Sequence, residues 1–455
     1  MKIAIIGAGP GGLYAAYELV KNGKKDITVF DKGNILSKRK CPISEKRIEC
    51  AKCNPCSIMN GFGGAGAFSD GKFNITNDFG GSLYEKIGYD KSLELQSEVD
   101  NINHNFLETI GFPKIYFSDE SKYKKICLQN NLHLLRAGVR HLGTDKNYII
   151  LEKMYDYLVS NGIQFYFNTK VISLSDNALY YIQKTQTEEF KFDKAIIAVG
   201  RSGSKWLQKL CEEKHIPAKS NKVDIGVRVE IPYEVFSSLT DKLYEAKILY
   251  KTKKYEDYVR TFCMNPKGIV VNENINGLIT VNGHSFEDSS KHTNNTNFAL
   301  LVSQRFTEPF KNSNEYGEAV VKLSNMLGNG VLIQRFGDLI RCKRTTNARL
   351  KNNSIVPTLK AEPGDLSLVF PKRIIDDIIE MIYALDKVTP GIANDDTLLY
   401  GVEVKYYNNE IEVDNKLKVR DNLYIIGDCS GVTHSLSQAA ASGLFVAKDI
   451  IIDKK

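Results

Sequence analysis

The sequence predicts an α/β protein: a discontinuous domain on a parallel sheet, interrupted by an inserted α+β domain built on an antiparallel sheet. Three observations predict it. IAIIGAGPGGLYAAYELVKNG, at the start, reads as a buried strand, a glycine turn and an amphipathic helix. NLYIIGDCSGVTHSLSQAAASGLFVAKDI, near the other end, repeats strand, glycine–acid turn and small-residue helix. Between them VDIGVRVEIP opens a region of strand-like stretches that runs through RTFCMNPKGIVVNENINGLITVNGHS.

The first segment has the spacing that a pyrophosphate requires. Gly7 permits the tight turn after Ile3–Ile6, Gly9 lets backbone approach the phosphates, and Gly12 lets the helix pack on the sheet. Pro10 and Gly11 complete the turn, and the helix N-terminus stabilises negative charge. DITVFDKG supplies a second strand ending in Asp31, nineteen positions after Gly12, where a carboxylate accepts hydrogen bonds from an adenosine ribose. Lys32 beside it joins the same set. This context predicts a Rossmann-type dinucleotide site.

Next comes a segment with four cysteines, Cys41, Cys50, Cys53 and Cys56, followed at once by GFGGAGAFSDGK. Gly63, Gly64, Ala65 and Gly66 read as a loop whose backbone approaches the cofactor. ELQSEVDNINHNFLETIG predicts a helix inside a polar insertion at 80–139. RAGVRHLGTD offers Arg140 and His141, with Thr144 and Asp145 at a helix start. ILEKMYDYLVSNG predicts that helix, and IQFYFNTKVISLS a pair of strands. The domain at 222–394 carries helices around Asn297 to Phe310 and Arg373 to Leu385, with loop from Thr345 to Asp365. The discontinuous domain therefore collects 1–79, 140–221 and 395–455.

Composition narrows the function. The net charge of +7 over 455 residues is scattered in short clusters such as Lys122 to Lys125, which suits a solvated surface rather than a nucleic-acid groove. The longest apolar run, Ile374 to Leu385, is broken by charge and too short to span a membrane. The opening apolar run leads into glycines, so it reads as a strand and not a signal peptide. Nine cysteines without a secretion signal point to reduced thiols in the cytoplasm or to metal ligation.

The strand–Gly427–Asp428–helix segment resembles the second FAD signature of the glutathione-reductase-type flavoproteins. The resemblance implies that Asp428 holds the ribityl chain, and that Thr433 to Ser437, including Ser435 and Leu436, lies beside the flavin pyrimidine edge. FDKAIIAVGRSGSKWL resembles the central strand of that family with its Gly200 turn, and Val171 would touch adenine through its backbone. GFGGAGAFSDGK, AVGRSGSKWL, DIGVRVEIP, RTFCMNPKG and GDCSG…QAAASG together resemble a group of bacterial FAD-dependent dehydrogenases whose reactions are mostly unassigned. GKFNITN is similar to the G-R-C-N-x-T-N loop of a related group that includes proposed ene-reductases, with Lys72 and Phe73 in place of Arg and Cys.

The expected function is hydride transfer between FAD and a small organic substrate, as reduction of an activated C=C bond or the reverse dehydrogenation. His434 would donate a proton to the substrate or serve as a hydrogen-bonded loop residue. Arg140 would hold a carboxylate or phosphate, or form a surface ion pair, with His141 beside it. No second G-x-G-x-x-G has a strand–turn–helix context. NAD(P)H would therefore dock transiently, or electrons would come from a partner protein or an internal relay. The C-x8-C-x2-C-x2-C spacing fits a [4Fe-4S] cluster, zinc, a redox dithiol or unligated thiols. Cys263 and Cys429 read as core. Two other classes stay open: a flavin-dependent tRNA-modifying enzyme and a flavin–cysteine redox sensor.

Overall fold

Ile3–Ile6 offers apolar side chains to both faces of a sheet, and all four are buried in the interior of a six-stranded one. The computed structural model describes residues 1–41, 53–117, 121–243, 246–275, 277–286 and 289–453. Ile3–Ile6 pairs in parallel with Ile27–Phe30 on one side and Lys194–Ile197 on the other. Leu423–Ile425 lies parallel beyond Lys194–Ile197, and Gln164–Tyr166 beyond Ile27–Phe30. Lys418–Arg420 closes one edge antiparallel. Strands from three distant parts of the chain are thus neighbours. Their carboxyl ends lead into the turns at Gly7, Gly200 and Gly427.

The helix Pro10–Lys21 starts with proline, whose fixed φ and missing N–H suit a first helical position. It packs against the C-terminal helix Leu436–Ile452 through small residues. A Cβ on Gly443 would lie 2.1 Å from the Gly11 carbonyl oxygen, which explains the QAAASG composition.

The chain divides into two compact units. One collects Met1–Ile115, Ala137–Lys219 and Asn408–Lys455; the other collects Tyr116–Arg136 and Ser220–Tyr407. The expected insertion at 80–139 is split between them. Its helix Tyr89–Leu107 belongs to the first unit, where Glu98 pairs with Lys448 at 2.6 Å. Its strand Leu132–Leu134 instead closes one edge of the second unit's sheet. The stretch 395–407 also falls in the second unit, because Leu398–Tyr406 is an inner strand there.

That second sheet has eight strands, with Val223–Pro232 and Asn295–Gln304 at its centre. Alternation assigns the faces. Val223, Ile225, Val227 and Val229 join a core with Ile374, Ile378, Met381 and Leu385 of the helix Lys372–Asp386. Asn295–Gln304 corrects the helix expected from Asn297 to Phe310. NFALLVS is apolar on both faces and buried between two strands, so ladder pairing outweighs the helix preference of Ala and Leu. The region from Thr345 to Asp365 is mainly loop but carries a short helix, Asn347–Lys351. Among the described residues no helix is long and apolar enough to cross a membrane.

Candidate functional site

The first glycine turn is held by backbone contacts that exclude a side chain. Gly7 has φ of 107°, and a Cβ there would lie 2.3 Å from the Ala198 oxygen. A Cβ on Gly12 would lie 2.0 Å from the Gly7 oxygen, so the helix meets the turn backbone to backbone. Asp31 ties the second strand to this turn. Its Oδ2 accepts from the Ala8 N–H at 2.9 Å and its Oδ1 from the Gly33 N–H at 2.8 Å. Lys32 Nζ donates to the Ser202 oxygen at 3.1 Å, beside the Gly200 turn, and burial lowers its pKa.

The loop after the cysteine segment docks on the same turn. The Gly63 N–H donates to the Ala8 oxygen at 2.8 Å, and Gly64 sits against Gly9. Gly66 faces Leu436, and its oxygen accepts from Asn147 Nδ2 at 2.8 Å. Arg39 fixes the loop's shape. Its guanidinium donates to four carbonyls, those of Ser57 (2.8 Å), Ile58 (2.7 Å), Phe62 (2.5 Å) and Gly64 (2.8 Å). Burial lowers its pKa to about 10, with Asp31 and Cys56 pulling the other way, so it stays charged at neutral pH.

The second signature is built with equal economy. Ser435 caps the C-terminal helix, its Oγ accepting from the Gln438 N–H at 3.3 Å. The loop before it pairs with Gly80 and Gly81: the His434 N–H donates to the Gly80 oxygen at 2.8 Å, and the Ser82 N–H to the Val432 oxygen at 2.8 Å. Gln438 Nε2 reaches the Thr76 and Phe79 oxygens, which anchors GKFNITN to this helix. Thr433 Oγ1 donates to Asp428 Oδ1 at 3.3 Å, and Arg201 Nε lies 3.4 Å from Asp428 Oδ2. Burial pushes the Asp428 carboxyl up to about 6, against the pull of Arg201 and Thr433.

One side of the three turns meets little protein. A Cβ on Gly200 or Gly427 would have no atom within 4 Å, and one on Gly9 would find Gly64 Cα at 3.9 Å. Ser437 Oγ and Gln438 Oε1, in the first turn of the C-terminal helix, are buried without a hydrogen-bond partner. Two carboxylates, two helix N-termini and orphaned polar atoms suit an elongated ligand with phosphates at its middle and hydroxyls on both sides.

Other expected residues lie differently. Arg140 forms a bidentate pair with Asp100 (3.0 and 2.6 Å), also donates to the Pro113 oxygen, and stacks over Phe112. It joins the strand Gly138–His141 to the helix Tyr89–Leu107 as an ion pair, the second of the two readings expected for it, with its side chain only 13% exposed. His141 pairs across strands with Lys72, with Nε2 3.9 Å from Asp70. His434 is half-buried. Val171 is buried in the strand Lys170–Leu174. Cys429 is a core thiol pushed up to about 12 by burial, whereas Cys263 is half-buried at a bulge. Cys50 lies outside the described residues. Cys41 and Cys56 are half-buried and Cys53 exposed, and among the described residues no group of three His, Cys, Asp or Glu could hold a metal ion. Sequence reasoning missed Arg39, Asn147 and Gly80–Gly81, none of which lies in a recognisable motif, and Gln438, whose segment QAAASG was recognised without a role for that side chain.

Comparison with known proteins gives matches at both ends of this description. Residues 5–39 match the family model of the NAD(P)-binding Rossmann-like domain. Residues 222–406 match that of the FAD-dependent protein, C-terminal domain-like. An uncharacterized protein of Clostridium beijerinckii is 26% identical over 474 residues, covering 98% of this chain and 80% of that one. Similar solved structures include glycine oxidase from Geobacillus kaustophilus, 12% identical with a TM-score of 0.41, covering 100% and 95% of the two chains. Another is Mycobacterium smegmatis Sdh1 in complex with UQ1, 14% identical with a TM-score of 0.42, covering 99% and 69%. A flavoprotein/dehydrogenase from Cytophaga hutchinsonii is 10% identical with a TM-score of 0.38, covering 100% and 80%.

Proposed function

We propose that this chain, an FAD-dependent oxidoreductase, moves a hydride between its flavin and a small organic substrate, reducing an activated C=C bond or running the reverse dehydrogenation. The observation that carries the reading is the convergence of the Gly7, Gly200 and Gly427 turns at the carboxyl ends of neighbouring parallel strands. When bound, FAD supplies the two-electron chemistry. The N-terminus of Pro10–Lys21 and the Gly64–Ala65–Gly66 backbone would hold its pyrophosphate. Asp31 would hold the adenosine ribose and the Val171 backbone the adenine. Asp428 would accept from the ribityl hydroxyls, while Ser435 to Ser437 present a helix N-terminus to the pyrimidine ring. His434 would bear the proton that the substrate carbon gains or loses. Electrons would enter from NAD(P)H docking transiently or from a redox partner protein.

The test is anaerobic purification with an absorbance spectrum and iron, zinc and sulfide analysis. A yellow protein that releases about one FAD per chain is expected; a colourless protein that takes up no FAD would sink the reading. A [4Fe-4S] cluster or zinc on the cysteine segment enters the electron route only if the metal analysis finds it alongside the flavin.

Asp428 allows a second check. Its carboxyl, raised by burial, is held ionised at pH 7 at a cost, since its folded pKa lies above the ordinary value. Asp428→Asn should stabilise the FAD-free protein at pH 7 by about 1–3 kcal/mol while weakening FAD binding about tenfold or more. Thermal melts with and without FAD read both effects. An Asn variant less stable than wild type without FAD would make Asp428 a structural residue.

A further inference from the structure

In the second unit, the sheet face opposite the core carries a cluster of charged side chains. Val223–Pro232 places Asp224 and Arg228 there, Tyr258–Asn265 places Arg260 and Phe262, and Leu398–Tyr406 places Glu403 and Lys405. The registers make them neighbours: Asp224 lies opposite Lys405, and Gly226 opposite Glu403. Each carboxylate is shared by two cations. Asp224 accepts from Arg260 and lies 4.0 Å from Lys222 Nζ. Glu403 lies 3.2 Å from Arg228 and 3.3 Å from Lys405. Glu230, further along the same strand, is taken by Tyr400, Thr358 and Asn295.

With Glu230 counted, four cations face three fully buried carboxylates. Lys222 and Lys405 keep 39% and 20% of their side chains exposed, which leaves this surplus positive charge open to an anion. Two of these cations, together with Lys247, gather over one ring. Arg260 Cζ lies 4.8 Å from the Phe262 centroid, Lys247 Nζ 4.9 Å and Lys405 Nζ 5.8 Å. Arg260 Nε is buried without a hydrogen-bond partner. An anion above Phe262 would be met by the Arg260 and Lys405 side chains, which keep 13% and 20% of their surface exposed, while its apolar part rests on the half-buried ring.

We propose that this face binds a small organic carboxylate through Arg260, Lys405 and the Phe262 ring. The assignment of that carboxylate to the substrate class rests on the oxidoreductase reading above; the binding site itself does not.

The probe is benzoate against its neutral isostere benzamide, titrated calorimetrically into the FAD-loaded protein. Benzoate should bind, with benzamide at least about tenfold weaker, the worth of one or two charge-assisted hydrogen bonds. Removing Arg260 leaves Asp224 buried beside a lost partner and risks misfolding. Lys405→Met is the better variant, because Glu403 keeps Arg228. It should weaken benzoate about tenfold or more with flavin content and melting temperature held, and Phe262→Leu should weaken it by less. Equal binding of the two probes, or unchanged benzoate binding by Lys405→Met, would overturn the proposal. A colourless protein that still binds benzoate fails the oxidoreductase reading alone; a yellow protein indifferent to benzoate fails this one alone.

Discussion

Replacing Arg39 with methionine should cost the protein about 3–5 kcal/mol and most of its bound flavin. Only 4% of Arg39 is exposed, and it serves four backbone carbonyls at once, two in the stretch Ser57–Ile58 and two in Phe62 and Gly64. Methionine fills the volume but leaves those acceptors without a donor, and each buried unsatisfied group costs about 1–3 kcal/mol. The loop also presents Gly64–Ala65–Gly66 to the first glycine turn, so its collapse would remove the proposed phosphate-facing backbone. Arg39→Lys should recover only part of the loss, because one ammonium cannot reproduce a planar fork that reaches four oxygens. Denaturant midpoints and flavin retained through gel filtration measure the two effects. Retention of both in Arg39→Met would show that the loop holds its shape without the clamp.

The sequence made the local parts of this site legible and hid the parts that depend on distant pairing. Gly7, Gly12 and Asp31 could be read because turn, helix packing and second-strand acid all fall within a short stretch with a fixed spacing. Asp428 and Ser435 were readable by resemblance for the same reason, since strand, turn and helix cap are contiguous. Arg39 was not, because SKRKC reads as a basic surface run and nothing local says that its guanidinium turns inward. Gly80 and Gly81 pair with a loop some 350 residues away. Arg140 looked available for a ligand because its carboxylate partner sits 40 residues upstream, on a helix predicted as part of an insertion.

The inserted domain teaches the same lesson in a different form. Alternation in VDIGVRVEIP was enough to name a strand, but not to say which charges meet across the sheet. Register decides that. Asp224 and Lys405 become neighbours only once Val223–Pro232 pairs with Leu398–Tyr406, and a slip of one residue in either strand would turn that strand's charges into the core. The misread segment Asn295–Gln304 is the converse. A strand buried on both faces shows no period, so Ala and Leu content favoured a helix until its two partners were known.

Stability of the second unit should fall as pH rises from about 4 to about 7, and Asp377→Asn should remove most of that fall. Asp377 lies on the helix Lys372–Asp386 with no exposure, and burial pushes its carboxyl up to about 7, while Thr252 draws it down and the neighbouring Asp257 raises it. Asp257 is the member kept ionised, because Arg373 donates to both of its oxygens (2.5 and 2.8 Å) and Gln304 adds a third bond at 3.2 Å. The unfolded chain loses the Asp377 proton near the ordinary carboxylate value, about 3.9. Between there and about 7 the folded protein binds one proton more, so the contribution is complete below the window and gone above it. Its size is about 2–4 kcal/mol. Asparagine cannot ionise, and its amide can donate to Asp257 as the protonated acid does, so the variant should be more stable than wild type at pH 8 by a similar amount. Urea midpoints from pH 5 to 8 decide the matter. A variant with the wild-type slope would mean that Asp377 ionises freely beside Asp257, and that another group sets the pH dependence of this domain.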